Sequence, residues 1–181
     1  MSLDTIILAG GLGTRIKEIL GNTPKCLAPV NGKPFIDILI DNCVKQGIKR
    51  IIICVGYSKD QIIKYLSKRQ DIEIIFSKEN TQLGTGGAIK NAKKYINSES
   101  FLVLNGDSYI DFNISSLFKK QMGLISSILL YKNNDNKDFG KVSINNKGIL
   151  TSFNEKNSEI NSNYLSAGRY IFSLPFLLVL T

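Results

Sequence analysis

The sequence predicts an α/β fold: a mostly parallel sheet with helices on both faces and an antiparallel extension in the C-terminal third. Three observations predict it. Through residue 121, short apolar runs alternate with segments of helical period, the order that builds parallel sheets. One of those runs, residues 50–55, carries five consecutive apolar residues from Ile51 to Val55, as a strand covered on both faces must. Past residue 124 the helical pattern stops, and four strand-like runs follow, split by Asn, Lys and Gly turns.

The elements follow in order. Residues 5–9 read as the first strand. Phe35, Ile36, Ile38, Leu39, Ile40, Cys43 and Val44 share one face of a helix that Gly47 ends. Residues 50–55 form the second strand. Ile62, Ile63 and Leu66 make the apolar side of a helix over 59–68. A strand at 72–76, a helix at 87–96, a strand at 101–104 and a helix at 114–121 complete a βαβαβαβ series with right-handed crossovers. The extension has strands at 124–131, 141–145, 149–154 and 165–172, with a hairpin signal at Asn145-Asn146-Lys147-Gly148 and a polar loop at 133–138.

Composition narrows the chemistry. The 181 residues, 43% hydrophobic and 21% charged, suffice for one domain with a proper core, assigned as residues 1–181. The net charge of +8 is spread along the chain, many of the lysines falling on helix faces. No ladder of aromatics interleaves with the bases, so the charge reads as solvated surface and nucleic acid is not an expected partner. No apolar run reaches the roughly 18 residues of a membrane span, and the N-terminus has no basic n-region. Cys26, Cys43 and Cys54 lack C-x-x-C spacing and read as reduced thiols of a cytoplasmic protein. Histidine is absent, which removes every His-based triad, base or metal ligand.

The richest segment follows the first strand: Leu8-Ala9-Gly10-Gly11-Leu12-Gly13-Thr14-Arg15, closed by Pro24-Lys25. Three glycines in four positions bring backbone N–H groups close to a ligand, the arrangement that cradles phosphate. Arg15 adds a planar bidentate cation and Lys25 a point charge, so the segment points to a polyphosphate. Two familiar signatures are excluded. The dinucleotide fingerprint fails because Ile16 stands at its third glycine, and no G-x-x-x-x-G-K-[ST] run exists.

In open α/β sheets ligands sit outside the carboxyl ends of the strands, where both this loop and Asp107 fall. Asp107 follows a buried strand in Leu104-Asn105-Gly106-Asp107-Ser108. On spacing alone it serves equally as a turn residue or as a ligand for a hard cation such as Mg2+, which takes one or two carboxylates plus phosphate oxygens and water.

The G-G-x-G-T-R run with its following P-K resembles the signature of the sugar-1-phosphate nucleotidyltransferases. The likeness extends from residue 3 to about 172. Gln82-Leu83-Gly84-Thr85-Gly86-Gly87-Ala88 resembles the family segment lining the nucleobase pocket, and Gly106-Asp107 resembles its metal-binding motif. The resemblance implies a three-layer α/β/α Rossmann-like sandwich, a nucleoside triphosphate and a sugar 1-phosphate as substrates, and Mg2+ as cofactor.

It also implies roles: Leu8, Gly10, Gly11, Gly13, Thr14, Arg15, Lys25, Gly84 and Thr85 at the nucleotide, and Ser108, Gly140, Glu155 and Lys156 at the sugar phosphate, with Asp107 at the metal. Arg15, Lys25, Asp107 and Lys156 are the expected catalytic set. Glu79 stands where uridylyl- and thymidylyltransferases of the family commonly carry Gln. A carboxylate can take the adjacent N1–H and N2–H of guanine as a pair, whereas uracil offers one N–H between two carbonyls. Glu79 thus favours GTP; as a solvated loop glutamate it would carry no such meaning.

The heptose and mannose 1-phosphate guanylyltransferase branches look most similar. The expected activity is guanylyl transfer from GTP to a sugar 1-phosphate, giving a nucleotide-sugar for surface polysaccharide or lipopolysaccharide precursors. The expected enzyme is cytoplasmic, with a homo-oligomer as the candidate assembly.

Departures from the family pattern exist. Cys26 replaces a common proline. Ser166-Ala167-Gly168-Arg169-Tyr170 stands where N-A-G-aliphatic-Y is usual. Family members continue past the position of Thr181 with a tail carrying a second metal-binding aspartate, so the chain reads as C-terminally shortened, with metal binding resting on Asp107. Two alternatives follow: a nucleotide-binding but catalytically inactive truncated or regulatory domain, and a uridylyl- or thymidylyltransferase of the same family. A glycosyltransferase would need a D-x-D motif at a strand end, and the nearest match, from Asp135 to Asp138, is one residue too long.

Overall fold

The computed structural model describes residues 3–11, 13, 17–121, 123–132, 141–154 and 162–180. Strand β1 (Asp4–Leu8) lies at the centre of a parallel set. It pairs with β4 (Arg50–Val55) on one side and β6 (Ser100–Asn105) on the other, and β5 (Glu73–Lys78) closes that edge beside β4. The antiparallel half begins with β10 (Tyr164–Ser173), which lies against β6 through residues 169–173. β10 also pairs along β7 (Ser126–Lys132) and, at its start, with β8 (Lys141–Ile144), which leads to β9 (Leu150–Asn154). The order β5-β4-β1-β6-β10-β8-β9, with β7 on β10, is the mixed sheet expected from the sequence.

Strand alternation divides the apolar residues between two faces. Ile51, Ile53 and Val55 point with Ile7 toward helices α2 (Phe35–Lys45), α3 (Lys59–Leu66) and α5 (Ile114–Gln121). Ile6, Ile52, Cys54, Phe101 and Val103 point the other way, against α4 (Gly84–Ala92) and the 3-10 helix Leu174–Leu178. Helices thus cover both sheet faces, giving three layers. Among the described residues no helix is long and apolar enough to cross a membrane.

Boundaries shift for local reasons. Helix α4 begins at Gly84, three residues before the sequence-based start at 87, and passes into a 3-10 turn at Lys93–Tyr95. The glycines of this segment have different reasons: Gly84 opens the helix at φ +70° with open space beside it, whereas a Cβ on Gly87 would lie 2.8 Å from the Leu83 Cβ. The short helix α1 (Lys17–Leu20) and a hairpin of β2 (Pro29–Val30) and β3 (Lys33–Pro34) were not foreseen. The hairpin turns at Asn31 and Gly32, both at positive φ, and that Asn-Gly pair was its signal in the sequence. The loop at 133–138, and with it the Asp135 to Asp138 spacing, lies outside the described residues.

Candidate active site

The carboxyl ends of β1, β4 and β6 meet through glycines. Ala9 N–H donates to the Cys54 carbonyl (2.9 Å), carrying the β1–β4 pairing one residue past the strand. Gly10 then presses on Gly56: a Cβ at Gly10 would lie 3.3 Å from the Gly56 nitrogen and from Glu79 Oε1. On the other side Gly106 N–H donates to the Leu8 carbonyl (3.0 Å), and a Cβ there would stand only 2.5 Å from that oxygen. Side chains at these positions would hold the loops apart. Gly11 faces open space and is exposed.

A cleft opens where these loops converge. Leu8, Gly10, Gly11, Lys25, Asp107 and Glu79 line it, and Gly84 and Thr85 come to its rim from the start of α4. These eight sequence-based residues therefore assemble, although they come from three strand ends, a 3-10 turn and one helix. Gly13, at φ +62°, lies beside the Lys25 stem. Lys25 begins a 3-10 turn (Lys25–Leu27) anchored by the buried Cys26.

Across the mouth, Lys25 Nζ donates to Asp107 Oδ2 at 2.5 Å. Both side chains are close to half exposed. Such pairs contribute about 0–1 kcal/mol, so a ligand bringing its own charges can separate them at little cost. Lys25 is then free for an anion and Asp107 for a cation.

Glu79 settles one alternative. It is 8% exposed, a lining residue of the cleft and not a solvated loop glutamate. Its N–H extends the β5–β4 pairing by donating to the Val55 carbonyl (2.8 Å). Its Oε2 accepts the Leu83 N–H (3.3 Å). Among the described residues no Lys or Arg forms an ion pair with its carboxylate. A carboxylate has about four acceptor sites, so most of this one's capacity is left for a donor in the cleft.

Ser108 follows Asp107 and faces β10. Between Ser166 and Tyr170 that strand slips register against β7, a bulge that places Gly168 at φ +66°. A Cβ on Gly168 would lie 2.7 Å from Ser108 Oγ and 2.8 Å from Asn105 Nδ2, which requires glycine there twice over. Ser166 Oγ and the Tyr170 hydroxyl are 3.0 Å apart. Arg169, noted in the sequence only as a cation in a strand, is buried beneath the Asp107 turn. Desolvation pushes its pKa down, yet a guanidinium stays charged.

Thr14, Arg15, Gly140, Glu155 and Lys156 lie outside the described residues. The donor set that is described, one half-exposed carboxylate beside a phosphate-type loop, fits a divalent ion sharing its ligands with a polyphosphate. Among the described residues no group of three or more acidic or thiol side chains could cage a metal by itself. The thiols stand apart from the chemistry: burial pushes Cys26, Cys43 and Cys54 each up to about 12.

Comparison with known proteins bears on this cleft. The family model described as nucleotidyl transferase matches residues 4–180. D-glycero-alpha-D-manno-heptose 1-phosphate guanylyltransferase of Campylobacter jejuni is 39% identical over 155 residues, covering 85% of this chain and 69% of that protein. The catalytic subunit beta of mannose-1-phosphate guanylyltransferase from Drosophila melanogaster is 35% identical over 175 residues, covering 93% of this chain. The chain spans 47% of that relative's length. Among solved structures, HddC from Yersinia pseudotuberculosis complexed with GMP-PN superposes with a TM-score of 0.85 at 36% identity, covering 94% of this chain and 76% of that one. With a family model spanning all but the chain's ends and a cleft built from the motif residues, the chain belongs to the nucleotidyl transferase family.

Proposed function

We propose that this chain transfers GMP from GTP to a sugar 1-phosphate, forming a nucleotide-sugar and releasing pyrophosphate. The observation that carries the choice of nucleotide is the Glu79 carboxylate, buried in the cleft with acceptor capacity to spare. Guanine presents N1–H and N2–H side by side, matching two carboxylate oxygens. The guanylyltransferase relatives, and the solved relative complexed with GMP-PN, support the same reading. We place the reaction in the cytoplasm, in keeping with three free buried thiols.

A phosphate oxygen of the sugar 1-phosphate attacks the α-phosphorus of GTP in line, and the bond to the bridging oxygen of pyrophosphate breaks. The nucleophile is already anionic, so no general base is needed, which suits a chain without histidine. The protein's part is to hold two anions together and to meet the charge of the transition state. The glycine loop and Lys25, with Arg15, grip the triphosphate. Lys156 neutralises the sugar phosphate, while Glu155, Gly140 and Ser108 receive the sugar. Asp107 would hold Mg2+, which when bound neutralises oxygens of the transferred and leaving phosphates.

A thermal-shift panel of GTP, UTP, dTTP, CTP and ATP with Mg2+ tests the reading. GTP should raise Tm most, and in Glu79→Gln that advantage should fall about tenfold in affinity, as a paired donor loses its ionised partner. Preference for UTP or dTTP in the wild type would defeat the guanine assignment. Pyrophosphate release with GTP and a set of sugar 1-phosphates then separates turnover from binding alone.

A further inference from the structure

Arg169 is 1% exposed, and among the described residues it forms no ion pair with a carboxylate. Its Nη2 donates to the Ser108 carbonyl (2.6 Å), and its Nη1 reaches the Gly168 carbonyl (3.0 Å), Ser108 Oγ (3.4 Å) and, longer, the Asn105 carbonyl (3.5 Å). Among the described residues its Nε has no hydrogen-bond partner. The guanidinium also stands 5.7 Å from the centre of the Phe112 ring. An aliphatic side chain would bury no charge and no orphan Nε, but it would leave these carbonyls without their donor; burying an ion is expensive unless its hydrogen bonds do something an aliphatic cannot.

What they do is grip both ends of one turn. Asn105 and Ser108 bracket Gly106-Asp107, the turn that carries the carboxylate at the cleft mouth. The same turn is pinned from the opposite side by Gly106 N–H on the Leu8 carbonyl. Among the described residues the Asp107 side chain has one hydrogen bond, from a half-exposed lysine, so its placement is set by its backbone. The β10 bulge is the device that delivers the arginine, because it turns residue 169 inward against β6 at Leu104.

We propose that Arg169 is a positioning residue: its fork on the turn between Asn105 and Ser108 fixes where the Asp107 carboxylate meets a metal–nucleotide. The functional half rests on the reading of Asp107 as a metal ligand; the clamp itself does not.

The full chain tests it in two ways. Arg169→Met keeps length and removes both charge and donors; Arg169→Lys keeps the charge but has no fork. First, hydrogen exchange of the ligand-free protein should speed up over residues 105–109 in both variants while the β1 and β4 amides keep their protection. Second, Mn2+ affinity, read by electron paramagnetic resonance in the presence of a non-hydrolysable GTP analogue, should weaken about 10- to 100-fold in both, the scale found for groups that orient a metal ligand. Metal-free GDP should bind as in the wild type.

A purely electrostatic role predicts the opposite sign: removing a nearby cation would tighten Mn2+ in Arg169→Met and leave Arg169→Lys unchanged. That result overturns the proposal. So does a general loss of protection with unaltered Mn2+ affinity, the mark of a merely structural residue. Asp107→Asn serves as the reference. If it leaves Mn2+ affinity intact, the metal reading of the cleft fails and the functional half with it, and the exchange data alone judge the clamp.

Discussion

Lys25 and Asp107 hold each other at 2.5 Å across the cleft mouth, yet neither is desolvated enough for the pair to matter to stability. Their value is in being separable. Replacing either with alanine should leave Tm within a degree or two and lower kcat by at least ~100-fold, the scale of one lost preorganised electrostatic group. Steady-state pyrophosphate release checks it, and near-normal turnover in either variant removes that residue from the mechanism. Their place in the cleft was legible in the sequence because each belongs to a motif, Asp107 just past the end of β6 and Lys25 in the Pro24-Lys25 pair that opens a 3-10 turn. Glu79 was half legible: its identity pointed to guanine, but only the three-dimensional contacts with Gly10, Gly56 and Leu83 show it buried. Arg169 was legible as an oddity and no more. Its partners are about 60 residues away in sequence, and no local pattern encodes them.

At the scale of elements, the start of β1 is held by a buried ionic knot. Asp4 accepts from Arg50 Nη1 (2.6 Å) and from the N–H groups of Asn97 (2.5 Å) and Ser98 (2.9 Å), tying β1, β4 and the approach to β6 together. Burial raises the carboxyl's pKa, but the hydrogen bonds from Asn97, Arg50 and Ser98 outweigh it and leave it below the ordinary value. A carboxylate with a lowered folded pKa stabilises the fold above its unfolded pKa, near 4, and that contribution is lost as pH falls through the folded value. Asp4→Asn strands part of the Arg50 charge and should destabilise the protein by about 3 kcal/mol at pH 7, lowering Tm by roughly 6–12 °C. The difference from wild type should shrink below pH 4. A gap that stays constant down to pH 3 would show that the lost ionic contacts are not its cause. The element boundaries were well predicted where the apolar pattern is clear, as in the unbroken run of β4 and the helical period of α5. They failed at the start of α4, because a glycine that opens a helix, as Gly84 does at φ +70°, and a glycine in a loop are the same letter.

At the scale of the molecule, two half-sheets of different pairing share one strand, and the cleft sits on the parallel half alone. The parallel half was legible because strands buried on both faces must be apolar at both parities. In the antiparallel half the number of strands was legible but the pairing was not: β10 meets β6, β7 and β8 along different stretches, a choice made by the bulge at residues 166–170. The three thiols report on how tightly the parallel half is closed. Cys26 and Cys43 lie in the core beneath α2, and Cys54 lies on the opposite face. With pKa values pushed to about 12 by burial, about one thiol in ten thousand is ionised at pH 8, and only the thiolate attacks a disulfide reagent. Native protein should therefore show no fast reaction with DTNB, and all three thiols should react together at the rate of global opening. Mg2+ and GTP, by stabilising the folded state, should slow the labelling of all three further. Fast labelling of one thiol in the native state would mean that its layer opens separately, and mass mapping of the labelled peptide would say which.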